Sequence, residues 1–200
     1  ELSALADMYF HFNFNDPEPG TPTALRNFDS SHNQFSFALV ELALSKPAVA
    51  DSRVGFRLDL DYGEVAKTVN SFEPAGATLE NIQQGYLSYL APVGSGLTLD
   101  IGKFVTPMGA EVIESKDNWN YSRSFLFALA IPYYHMGARL SYAPTDKVSF
   151  MGSVSNGWNN ITDTNSQRTY HAAATLKPVA PLSVIANFIA GPEQSLNTDD

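Results

Sequence analysis

The residues best able to do chemistry in this sequence are charged, and they fall into two sets. One is crowded into segment 105–132: Glu111, Glu114, Lys116, Asp117 and Arg123, with Trp119 among them. Acidic and basic side chains in one ring give a transverse field, which selects hydrated ions and polar solutes. Connections longer than ~12–15 residues without structure of their own are usually functional or disordered. The apolar tail Phe125-Leu126-Phe127-Ala128-Leu129 argues against disorder, and an ordinary solvated loop is the competing reading. The second set is spread along the chain: Asp7, Glu41, Arg57, Asp59, Asp61, Asp100 and Arg139. Acids outnumber bases there, which implies a weak cation preference. Opposite charges on neighbouring strands also form plain structural ladders. Arg57 with Glu41 is one such expected pair, and Arg139 with a nearby carboxylate is another.

Other chemistries find less support. His11, His135 and His171 fall on the same phase as the charges, but none has the spacing of a pre-organised zinc ligand set. Hydrogen-bonded histidines are expected, and the reading calls for no metal and no cofactor. Asp59 and Asp61 would lie ~7 Å apart on one strand face, a spacing that suits a glycosidase on a soluble β scaffold. Arg57 beside them and the regular alternation make that the minor reading. The sequence has no Gly-rich phosphate loop and no Gly-x-Ser-x-Gly elbow, so no enzyme is expected. Zero cysteines exclude a disulfide framework, a thiolate site and a cysteine nucleophile. With 12 basic against 21 acidic residues the net charge is −9, the wrong sign for a nucleic-acid binder.

The elements that must position these charges are strands. Val54, Phe56, Leu58, Leu60 and Tyr62 alternate with Gly55, Arg57, Asp59, Asp61 and Gly63. A strand sends successive side chains to opposite faces, so this segment has one apolar and one charged face. Met8, Phe10, Phe12 and Phe14 alternate with Asp7, Tyr9, His11 and Asn13; Met136, Ala138, Leu140 and Tyr142 alternate with His135, Gly137, Arg139 and Ser141. Weaker alternation predicts strands near 34–46, 79–91, 97–104, 148–156, 168–177 and 182–190, about nine in all. Lengths of ~8–12 residues exceed the common globular five or six and match what a tilted membrane-crossing strand needs. Short Pro/Gly connections alternate with long polar ones at 15–33, 64–78, 105–132 and 157–167, as in a meander with tight turns at one end. The only helical signals are short pieces inside 105–132. Tyr62, Tyr89, Tyr133, Tyr142 and Trp158 are placed to form aromatic girdles at two interfaces. Periodicity therefore predicts an all-β antiparallel transmembrane barrel over a soluble sandwich with a carbohydrate-binding or hydrolytic face.

Four stretches add a resemblance. They are Gly102-Lys103-Phe104-Val105-Thr106-Pro107-Met108-Gly109-Ala110-Glu111, Asn120-Tyr121-Ser122-Arg123-Ser124, His135-Met136-Gly137-Ala138-Arg139 and Asn156-Gly157-Trp158-Asn159. In this order and spacing they resemble the bacterial beta-barrel porin-2 (OmpL-like) family, most densely from about 79 to 160. The resemblance implies a multi-pass barrel in the Gram-negative outer membrane. Its partners would be outer-membrane lipid and lipopolysaccharide and small polar solutes or ions, with no nucleic acid and with a homo-oligomer left open. In general porins the third external loop narrows the lumen, and 105–132 is the third long connection here. A barrel serving as a sleeve for a partner protein is the alternative. Family members are longer, the strand count is odd, and Ser195–Asp200 reads as a polar loop-like end. The expectation is that residues 1–200 are the N-terminal part of one larger barrel.

Overall fold

The computed structural model describes residues 1–73, 78–163, 165 and 167–192. Ser195–Asp200, read above as a polar end, lies outside them. Nine strands form in chain order: β1 Leu2–His11, β2 Gln34–Lys46, β3 Val54–Tyr62, β4 Ile82–Ala91, β5 Leu97–Val105, β6 Tyr134–Thr145, β7 Val148–Ser155, β8 Thr169–Val179 and β9 Leu182–Ala190. Each pairs antiparallel with the next, so the sheet is one uninterrupted meander. The sheet is not closed: β1 and β9 do not pair with each other. No helix among the described residues is long and apolar enough to cross a membrane.

Alternation builds the two faces as the pleat requires. One face carries Phe37, Leu42, Phe56, Leu87, Ile101, Leu140, Phe150 and Phe188, all exposed. The exposure of Phe35 reaches 89% and that of Phe188 68%, far from what a core would leave. The opposite face carries the charges. Residues directly opposite in a ladder point the same way, and the register joins Leu5–Glu41–Asp61, Ala43–Asp59–Gln84 and Ser88–Asp100–Arg139. A bulge sets Asp7 opposite Leu39 and Met8 opposite Phe37, so Ala38 is the extra residue. Both Ala38 and Leu39 are thereby buried.

The apolar core does not lie between two sheets. It gathers at the end with the long connections, from Phe28, Leu39, Val65, Val69, Ile113, Phe127, Tyr133 and Tyr134. Two short helices supply part of it, α1 Glu64–Val69 and α2 Phe125–Leu129. α2 falls within 105–132, where short helical pieces are expected. α1 is not foreseen, because six residues give less than two turns and too little period to read. Burial of Val65, Ala66 and Val69 explains why it forms. Its Glu64 is pinned by Tyr9 Oη at 2.5 Å and Ser31 Oγ at 2.8 Å.

Two other expectations need correction here. The first strand runs Leu2–His11, whereas the alternation extends to Phe14. Asn13 ends it: its carbonyl accepts from the Asp16 amide at 3.0 Å and its side chain from the Asn15 amide at 3.0 Å, a turn that competes with the ladder. Tyr133 is not on an interfacial girdle. It is 5% exposed, stacked against Phe28 and Phe127, with its hydroxyl donating to the Ala128 carbonyl at 2.8 Å.

Candidate functional site

The wall of the site is the charged face of β3 to β6. Arg139 lies opposite Asp100 in the register and donates to its Oδ2 from Nε at 3.1 Å and Nη2 at 2.8 Å. Ser88 Oγ donates to Asp100 Oδ1 at 2.6 Å. Arg139 is thus tied to a neighbouring carboxylate, the expected kind of pair. The expected Arg57–Glu41 ladder does not form. Arg57 is opposite Ser45 and Glu41 is opposite Asp61, so the register separates them. Arg57 instead folds along its own strand face, two residues on, and donates from Nε to both oxygens of Asp59 at 2.8 and 3.0 Å. Gln84 Nε2 completes Asp59 at 2.6 Å.

A hollow lies beside these pairs. One register row reads Arg57–Tyr86–Gly102–Gly137. Gly102 has φ +137, and a Cβ there would lie 2.2 Å from the Gly85 carbonyl oxygen. A Cβ on Gly137 would lie 2.1 Å from the Val154 carbonyl oxygen. Only glycine fits at either place. With no side chains at two adjacent positions, Arg139 settles 4.5 Å over the Phe104 ring and 5.7 Å from that of Tyr86.

The connection between β5 and β6 forms the other side. Its base is closed by the Thr106 amide donating to the Tyr133 carbonyl at 2.9 Å. Asn118 braces it internally, accepting from the Val112 amide at 2.9 Å and donating to the Val112 and Glu114 carbonyls at 2.8 and 2.9 Å. Ser124 caps α2 by accepting from the Phe127 amide, and its own amide and hydroxyl donate to Glu111. The segment then reaches across to β1. Ser115 Oγ donates to Asp7 Oδ2 at 2.5 Å, and Tyr121 Oη to Asp7 Oδ1 at 3.0 Å. Burial and the Asp7 charge together push the Tyr121 hydroxyl above its ordinary pKa, which keeps it a donor.

Arg123, expected to belong with the other loop charges, is instead part of the packing. It is 4% exposed, lies 4.6 Å over the Phe28 ring, and donates to the Tyr121 and Ile113 carbonyls. Burial lowers its pKa from the ordinary guanidinium range. Lys116 and Asp117 pair with each other at 2.5 Å on the exposed side of the segment. Their contact with the partner carboxylate raises the lysine.

What comes together is therefore a subset of the sequence candidates. A cavity of about 310 Å³ separates loop from wall, with Arg57, Tyr86 and Arg139 on one side and Glu111 and Glu114 on the other. Beside it, Glu41 faces Asp61 across β2 and β3, and Glu114 lies against Glu41. Both Asp61 oxygens are buried without a hydrogen-bond partner. Among the described residues no group of His, Asp and Glu has the geometry to hold a metal ion. The three histidines on the charged phase bond locally: His11 to the Asp29 carbonyl, His135 to that of Gly157 and His171 to Asn187.

Lys103 is the charged residue that sequence reasoning missed. It falls on the phase of Ile101, yet is 3% exposed, donating to Asn70 Oδ1 at 2.6 Å and lying 3.9 Å over the Tyr134 ring. The available signal was a lysine on an apolar phase beside Gly102, which only the fold of α1 and Asn70 over it explains.

An antiparallel meander with one apolar and one charged face, and one long connection docked on the charged one, belongs to the porin-like β-barrel class. The family model described as Putative beta-barrel porin-2, OmpL-like, matches residues 1–200, and the chain belongs to that family. Membership implies an outer-membrane protein of the channel-forming kind. No curated protein and no solved structure matches the chain.

Proposed function

We propose that the chain builds the wall and constriction of a passive outer-membrane diffusion channel for small hydrophilic solutes or ions. The observation that carries the reading is the double hydrogen bond from Ser115 and Tyr121 to Asp7. It holds the 105–132 segment across the charged face and leaves a polar cavity between them. In this reading the exposed apolar face meets lipid and lipopolysaccharide, with Tyr62 and Tyr89 at the interfaces, and no chemistry or cofactor is required. The acidic excess of the face and of the segment favours cations weakly.

Planar-bilayer conductance of the protein under a salt gradient tests this. Discrete steps with a cation-leaning reversal potential are expected, and removal of residues 107–124 should enlarge the step. Folded, inserted protein without conductance would overturn the reading in favour of a sleeve around a partner protein. An unchanged step after removal of 107–124 would overturn the constriction.

A further inference from the structure

The cavity between loop and wall carries more than a general field. Arg57 and Arg139 line it from β3 and β6, and Glu111 and Glu114 line it from the loop. Among the described residues, the two arginines form ion pairs to Asp59 and Asp100 only, and none to the loop acids that face them. Arg57 uses Nε alone, so both its terminal nitrogens remain available. Arg139 uses Nε and Nη2 and keeps Nη1. Tyr86 stands opposite Arg57 in the register and 5.7 Å from the Arg139 guanidinium, between the two.

The loop acids are not equivalent. Glu111 has both oxygens engaged by Ser124. Glu114 shares a side-chain hydrogen bond with the Glu41 carboxyl and, among the described residues, forms no ion pair with a basic group, so it faces the cavity without a cationic partner. Val105, Ile113, Phe127 and Tyr133 also line the cavity and give it apolar surface. A volume of about 310 Å³ is at the lower end of ligand sites and holds one small molecule.

We propose that this cavity is a binding subsite for a zwitterionic solute, a free α-amino acid with an apolar side chain. Its carboxylate meets the spare nitrogens of Arg57 and Arg139, its ammonium meets Glu114, and its side chain lies on the apolar surface. The spare guanidinium nitrogens offer donors to a carboxylate at one end, and Glu114 offers an acceptor to an ammonium at the other. A dipolar solute satisfies both ends and brings no net charge into the site. The proposal deepens the channel reading, on which it rests for its place on a solute path.

The test is calorimetric titration of the detergent-folded protein with L-leucine, N-acetyl-L-leucine, L-leucinamide and glucose. Leucine should bind at least tenfold more tightly than either blocked analogue. Glu114→Gln should abolish the preference over N-acetyl-leucine, and Arg57→Gln the preference over leucinamide, with the β-sheet circular dichroism retained. Equal affinity for leucine and its analogues, or no binding by protein with the native sheet signal, overturns the proposal. Tighter binding of glucose overturns it in favour of a neutral-sugar site. The analogue series on the unaltered protein decides the matter even where a variant fails to fold. Leucine binding without conductance would sink the channel alone, and conductance without leucine binding would sink the subsite alone.

Discussion

Asp7 is the wall residue on which the docking of the 105–132 segment turns, and Asp7→Ala isolates its contribution. The substitution removes the bonds from Ser115 Oγ at 2.5 Å and Tyr121 Oη at 3.0 Å. Hydrogen bonds to a charged acceptor contribute about 1.5–3 kcal/mol each. Asp7 is partly exposed, and solvent screening reduces both. Their joint loss is then about 2 kcal/mol, or roughly 30-fold in the ratio of docked to undocked loop. Asp7→Asn keeps one acceptor oxygen, so about half that energy and roughly 5-fold are expected. Hydrogen–deuterium exchange reads this directly. Amides of 112–124 should exchange about 30-fold faster in Asp7→Ala, with those of β6 and β7 unchanged. Unchanged loop amides would refute the tether. Equal acceleration in every strand would show that Asp7 acts on the sheet instead.

Three further outcomes are expected. Gly102→Ala places a Cβ 2.2 Å from a backbone oxygen at φ +137 and should cost at least about 2 kcal/mol, read as a lower urea midpoint. Asp100→Asn and Arg139→Met should each destabilise by about 1.5–3 kcal/mol, because each leaves one partner of a part-buried pair, while the double variant should recover part of the loss in a double-mutant cycle. Asp29 is raised above the ordinary carboxylate range, by burial against the opposing pull of Arg26. Its folded form holds a proton more tightly than its unfolded form, so its contribution is fully present below the unfolded pKa and is lost as pH rises through the folded one. Urea titrations across pH should therefore show Asp29→Asn gaining stability relative to the parent as pH rises through that window, then levelling. A flat difference would contradict the raised value.

The sheet was legible because its signal is local. β2 and β9 coincide with the spans expected from alternation, since each alternating side chain reports its own face. The seven strand charges share one face for the same reason. What stayed hidden depends on which residues meet across the chain. Arg57 and Glu41 were reasonable partners by phase, but register is set by strand offset, and it puts Asp61 opposite Glu41. Tyr133 looked interfacial by type, but its neighbours Phe28 and Phe127 come from two separate connections. Arg123 reads as a loop charge until its φ of +57 and its seat over Phe28 are seen. Glu111 and Glu114 stand out in the sequence, and the split between them, one occupied by Ser124 and one facing the cavity, does not.

The bond between Ser115 and Asp7 also fixes an order of assembly. It joins positions 108 residues apart, whereas every ladder links consecutive strands. Closing a loop of that length in an open chain costs about 4 kcal/mol of entropy. Once β1 to β5 are zipped, only the stretch from Val105 to Ser115 remains to be closed, at about 2 kcal/mol. Docking is therefore favoured only after β1 to β5 have paired, and the cavity narrows behind that part of the sheet. A newly assembled sheet passes through an interval in which its charged face is still uncovered.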